Sequence, residues 1–558
     1  MTNDHPIWDG IENFEGGSSV EINDWDWTAS PSKRSLINVI NSITSNANGY
    51  KFGRVYFNPT TLTDDWTIVG GPLSVLVCEN EFEINNTSSY YVLGMSNKTP
   101  NISSTFGSDF IVHDGNFTFG GSFSTDPFDQ DFHVMGNLII NSDDDFYLHR
   151  AFNGTPTITS RNSPIYIGGN MEVWGLTNTV TSDVTTKEII FTGNTTHTIE
   201  IAPNCTNIPI IIESGDSAEL LNENLKFTGS CSFEIENNAN FNFGFNENIA
   251  LEIQDISGTS NKFIQGSGAS LTITHPQGIW DASVNGNVQN FSASNTTYTQ
   301  TDATYHYIGK GNQETGDAFT PGSTSKTIIC ELENNTDELT ITAKTGTSSQ
   351  LEIRKGILVN TDANHIYGSG DLTISDGGLK TSVLGATGNV PLLTGTYNLT
   401  GGFIDLNANG DQTLKGSRAY RDLTFSTAGT KTLTSGIINQ IGTILVKDAA
   451  VLDVENHTMG GGLDTHLTMT DTAEYRTDGS DVKPDAQGTY TLGVGTKVTF
   501  TSTSSNERIR LEPNYYNIDI VGTNVATNTL TTPIKIQSGG TFTVKSGATF
   551  KHFNTAGF

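Results

Sequence analysis

The sequence predicts an all-β chain folded as an elongated parallel β-helix, or β-solenoid, with one short capping helix near its start. Three observations predict it. From about residue 135 onward the dominant pattern is period two, as in Leu138-Ile139-Ile140, Ile165-Tyr166-Ile167, Leu271-Thr272-Ile273, Leu351-Glu352-Ile353 and Leu372-Thr373-Ile374. Each such segment is bounded by Gly, Asn, Asp or Ser, which supply turns and left-handed backbone positions. A longer pattern also repeats along the chain, and helical spacing is convincing at one place only.

That place is Ser30-Pro31-Ser32-Lys33-Arg34-Ser35-Leu36-Ile37-Asn38-Val39-Ile40-Asn41-Ser42-Ile43. Apolar residues fall at 36, 40 and 43, Ser30 can cap the first turn, and Pro31 suits the first helical position. Asn48-Gly49 would end the helix, and Gly53-Arg54-Val55-Tyr56-Phe57-Asn58-Pro59 reads as a strand closed by a turn. An amphipathic helix, a Gly turn and a V-Y-F-x-P strand resemble the entry of pectate-lyase-like right-handed parallel β-helices, including phage tailspikes. The resemblance covers residues 30–60 and implies that the helix plugs the first coil. It departs from the usual pattern at Thr60-Thr61-Leu62-Thr63, where P-x-G-x-Y is expected.

The repeat emerges when three segments are aligned. Ile444-Leu445-Val446 with Leu452, Phe542-Thr543-Val544 with Phe550, and Phe233-Glu234-Ile235 with Phe241 all place apolar residues at positions one, three and nine. Another element precedes each: Leu423-Thr424-Phe425, Ile518-Asp519-Ile520 and Ile210-Ile211-Ile212. A unit burying so few side chains is unstable alone, so neighbouring units must stack. Tyr420-Arg421-Asp422-Leu423-Thr424-Phe425 and Tyr515-Tyr516-Asn517-Ile518-Asp519-Ile520, with their G-T-x-x-V-K tails, resemble repeats of large Bacteroidota surface proteins over residues 190–558. Three segments follow: an N-terminal anchoring segment, 1–30; the capped first part of the solenoid, 31–190; and the repetitive part, 191–558. At ~20–25 residues per coil and ~4.8 Å per strand, this predicts a rod on the order of 100 Å long. Residues 550–558 carry no cap motif, so that end is expected to dock onto a partner unless more chain follows.

Composition narrows the function. Lys and Arg number 29 against 60 Asp and Glu, a formal net charge of −31, which excludes phosphate-backbone binding and an anionic membrane surface. No run approaches the ~18 apolar residues of a membrane span, and no secretory signal is visible at Met1–Pro6. The cysteines Cys78, Cys205, Cys231 and Cys330 are too scattered for a disulfide scaffold. Cys205 and Cys231 could bridge neighbouring coils, with buried free thiols the preferred expectation.

Candidate chemistry is sparse. In an extended segment Asp143 and Asp145 would share a face, with His149 and Arg150 following, so the patch holds the residue types for Ca²⁺ binding and for abstracting a sugar proton. Trp25 and Trp27 beside Asp24 and Asp26, and Asp64-Asp65-Trp66, pair carboxylates with aromatic faces as sugar sites do. A solvated turn and a hydrophobic anchoring cluster are the plainer expectations for these two groups. No metal-ligand spacing, P-loop or G-x-S-x-G is present, and no cofactor is implied beyond Ca²⁺ at the acidic patch. The expectation is a non-enzymatic structural or attachment element of a fibre or spike, in a phage virion. The alternatives are a secreted cell-surface adhesin and a polysaccharide lyase or glycoside hydrolase on the same fold. Partners would be other structural chains, further copies of this chain (a trimer among the options) and cell-surface polysaccharide. Localisation would be the virion or the extracellular surface.

Overall fold

A computed structural model describes the strands and turns from Ser19 to Lys551, apart from residues 23–49, 58–65 and many of the loops between strands. The expected capping helix at 31–45 therefore lies outside the described residues. No helix occurs among the described residues, and the strands pair in parallel throughout. The chain divides into two compact units, Met1–Thr304 and Tyr305–Phe558.

In the first unit each sheet takes every third strand, so three successive strands make one coil. One sheet runs through Arg54–Phe57, Phe82–Ile84, Phe110–Val112, Leu138–Ile140, Met171–Val173 and Thr196–Ile201. Parallel register puts Val55, Phe82, Phe110, Leu138, Met171 and Ile199 in one column and Phe57, Ile84, Val112, Ile140, Val173 and Ile201 in the next. Because strand side chains alternate, both columns point inward, and their described members are buried. Burial of every second residue in Leu138–Ile140 and Ile165–Ile167 accounts for the period-two pattern. The Phe82 and Phe110 rings stack at 5.1 Å between centroids, one coil on the next.

The coils are less regular than the repeat suggested. Ile199 pairs with Leu220, whereas Leu138 pairs with Met171, a much longer step along the chain for the same advance of one coil. The strands stay short, so most of the additional residues fall in the connections, where insertion is cheap.

Turn residues tie the coils together through side chains. Asp109 Oδ1 accepts Asn137 N at 2.7 Å, Asn137 Oδ1 accepts Asn170 N at 2.8 Å, and Asn170 Oδ1 accepts Thr198 N at 2.8 Å. This ladder satisfies amide donors that the sheet leaves at each turn. In the second unit Asp371, Asp411 and Asp422 do the same for the amides of Thr396, Thr430 and Thr443. Many of the acidic residues are therefore structural acceptors.

The second unit carries sheets of the same parallel kind, and its coils also vary, the one from Ile404 to Leu423 being shorter than the one from Leu379 to Ile404. It also contains a longer repeat. Pro391-Leu392-Leu393-Thr394-Gly395-Thr396-Tyr397 recurs as Pro484-Asp485-Ala486-Gln487-Gly488-Thr489-Tyr490, and both prolines follow cis peptide bonds. Tyr397 Oη donates to the Pro391 and Leu393 carbonyls, and Tyr490 Oη to those of Pro484 and Ala486. Each tyrosine opens the strand that closes its sheet, Tyr397–Leu399 and Tyr490–Leu492.

Candidate functional site

The residues singled out for chemistry fall mostly outside the described structure. Trp25, Trp27, Asp64, Asp65, Asp143 and Asp145 lie there. Trp66 begins the strand Trp66–Val69, and its backbone pairs with Val92. His149 and Arg150 lie in Phe146–Ala151, where their backbones pair with Gly120 and Gly121. Cys231 is undescribed, so its pairing with Cys205 is too, while Cys78 and Cys330 are buried free thiols. Among the described residues, no group of three or more His, Cys, Asp or Glu could hold a metal ion. Among the same residues no helix is long and apolar enough to cross a membrane, a statement that leaves β-barrels aside.

Hydroxyl, imidazole and carboxylate do meet at Thr195, His197 and Asp216. His197 Nδ1 lies 2.7 Å from Gly169 O, so Nδ1 carries the proton and donates. The other nitrogen, Nε2, faces Thr195 Oγ1 at 3.4 Å and Asp216 Oδ1 at 3.6 Å. In a nucleophilic triad the carboxylate orients the imidazole through the nitrogen opposite the nucleophile. Here carboxylate and hydroxyl crowd the same nitrogen, and Asp216 Oδ1 already accepts Thr195 N at 3.0 Å. His197 and Asp216 are also fully buried. The arrangement links three coils and offers no access to a substrate.

Other buried polar groups are likewise absorbed by backbone. Lys431 Nζ donates to Ala408 O at 2.5 Å and Gly410 O at 2.8 Å, and burial pushes the amine down to about 8. Lys483 Nζ donates to His457 O and pairs with Asp485 at 3.1 Å. These amines reach carbonyls on a preceding coil, far away in sequence, so no local motif announces them.

The apolar one–three–nine motif gives the most informative contrast. Phe233, Ile235 and Phe241 are buried, as are Ile444, Val446 and Leu452. The third copy differs. Phe542 is 37% exposed and Val544 45%, although the residues they pair with one coil earlier, Ile518 and Ile520, are 0% exposed. Phe542 touches Phe550, with centroids 5.1 Å apart. The strand Lys535–Val544 pairs on one side with Asn514–Ile520 and, among the described residues, with nothing on the other. Among the described residues, the backbone groups on that side of the strand lie beside the half-exposed Phe542 and Val544 without a strand partner.

No family model matches this chain, and neither a curated protein nor a solved structure matches it.

Proposed function

We propose that this chain is a non-enzymatic structural element of a fibre or spike, of the kind a virion or a cell surface carries, and that it assembles through the face containing Phe542 and Val544. One observation supports this: among the described residues, a core motif that is fully buried in two copies is half-exposed in the third, beside a strand edge to which no described strand pairs. Exposed apolar side chains next to free backbone groups favour strand addition, and proteins that must stay apart blunt such edges. The occupant is the same face of a second copy, which has the matching spacing and closes the contact symmetrically. Stacked coils held by asparagine and aspartate ladders supply the stiffness that an attachment element needs.

Sedimentation velocity of the full chain across a concentration series tests this proposal. Wild type should associate with rising concentration, and Val544→Asp, which places a charge in the apolar face, should remain monomeric while keeping its strand signal in circular dichroism. A wild-type chain that stays monomeric throughout, or a V544D chain that associates equally well, overturns it.

A further inference from the structure

The repeated Tyr motif has a second feature that differs between its two copies. In the later copy the Arg510 guanidinium lies over the Tyr490 ring at 6.0 Å, and Arg510 Nε donates to Pro484 O at 2.6 Å. In the earlier copy the Arg418 guanidinium lies over the Tyr397 ring at 5.2 Å, and Arg418 donates to Thr394 O at 2.9 Å through one terminal nitrogen. Its Nε is buried and has no hydrogen-bond partner among the described residues. Among the described residues no carboxylate pairs with Arg418, and Asp371 Oδ1, one coil earlier, accepts Thr396 N at 2.6 Å.

Arg418 lines an open groove of about 430 Å³, together with Tyr397 and the hydroxyl residues Thr394, Thr396 and Ser417. Ser417 is held at a φ of 56°, a conformation that costs a non-glycine residue energy. Lys415 lies near Arg418. Lys415 Nζ donates to Leu393 O at 3.0 Å, and its amine is pushed below the ordinary range first by burial and then by the Arg418 charge. Lys415 and Arg418 are close enough for their charges to repel, whereas the Arg421 guanidinium is turned to Asp422 at 3.8 Å and to Thr400 O. A guanidinium on an aromatic face with no carboxylate partner, beside several hydroxyls, suits an oxyanion carried on a hydroxylated ring.

We propose that the Arg418–Tyr397 groove binds the oxyanion, a carboxylate or a sulfate ester, of an acidic sugar, with Thr394, Thr396 and Ser417 facing the sugar hydroxyls. The site shares no residue with the Phe542 face, so either proposal can fail without the other.

The test is titration of the full chain, followed by NMR or calorimetry, with glucuronate, glucose 6-sulfate, glucose and acetate as probes. Arg418→Gln and Arg510→Gln are run alongside, and their thermal melts are compared with wild type. At least one acidic sugar should bind about tenfold more tightly than glucose and than acetate, with R418Q losing that advantage and R510Q keeping it. Glucuronate against glucose 6-sulfate decides between carboxylate and sulfate. Equal binding of glucose, equal binding of acetate, no binding by either acidic sugar, or full retention by a folded R418Q would each overturn the proposal.

Discussion

The Tyr515 phenol donates to Arg510 O at 2.8 Å, and Tyr420, at the matching place earlier in the chain, makes the same bond to Lys415 O at 2.6 Å. Both rings are buried. A buried hydroxyl must find an acceptor, and here it pins the turn that delivers the chain into the following strand. Tyr515→Phe should therefore cost about 1–2 kcal/mol, because the ring still packs while the Arg510 carbonyl loses its donor. Native-state hydrogen exchange across residues 510–520 would register the loss as faster local opening. Unchanged exchange there would show that the bond adds nothing to ring burial.

The asparagine ladder predicts a different kind of loss. Asn137 Oδ1 is the acceptor for Asn170 N, while the Asn137 amide is itself bound by Asp109. Asn137→Ala breaks one rung and leaves a turn amide without its acceptor, at a cost of about 1–3 kcal/mol. Urea denaturation should show a lower midpoint, and Asn137→Asp, which keeps the acceptor as Asp109 does naturally, should restore most of it. If N137D were as unstable as N137A, the oxygen would not be what matters.

The period-two strands were legible because a solenoid buries every second residue, and Leu138, Ile140, Ile165 and Ile167 are buried as that pattern requires. The alignment of Phe233, Ile444 and Phe542 was legible for the same reason, since identical inward positions recur at each coil. What remained hidden lies between coils. Whether Phe542 is covered depends on what stacks beyond it, and a local pattern is identical for covered and uncovered copies. Arg418 carries no signal as a single arginine in a turn until the fold brings the Tyr397 ring, from an earlier strand, beneath it. Composition shows only an excess of acidic over basic residues, yet Asp109, Asp371, Asp411 and Asp422 each accept an amide from another coil.

Phe233 tests the stacking itself. It pairs in register with Ile210 on one side and Phe263 on the other, with its ring 4.7 Å from Phe241 and stacked 6.3 Å from Phe263. Phe233→Ala removes a fully buried ring from the middle of a column and should cost about 3–5 kcal/mol. Coils interact mainly with their neighbours, so limited proteolysis should cut first near residues 210–265. Phe233→Leu, which refills most of the volume, should recover most of the resistance. Cleavage elsewhere, with this segment intact, would contradict column stacking as the source of local stability.

Glu507 gives the solenoid a pH dependence of definite sign. Its side chain is fully buried, with Oε1 accepting Gly479 N and Oε2 accepting Ser502 N, both at 3.2 Å. Burial pushes the carboxyl up to about 7, against the opposing pull of hydrogen bonds from Thr477, Ser502 and Gly479, while Asp478 adds repulsion. Below about pH 4.5, the ordinary value, the group is protonated folded and unfolded, and its contribution is fully present. Between 4.5 and 7 the unfolded chain releases the proton while the folded chain keeps it, so stability falls as pH rises. Above about 7 the loss is complete, at roughly 3 kcal/mol. Asp405, also raised by burial, slopes the same way, so the difference between wild type and Glu507→Gln isolates this carboxyl. Urea midpoints measured from about pH 4.5 to 8 should fall less steeply in E507Q than in wild type. Parallel curves would mean that the carboxyl ionises alike in both states, and that its two amide donors already offset the burial.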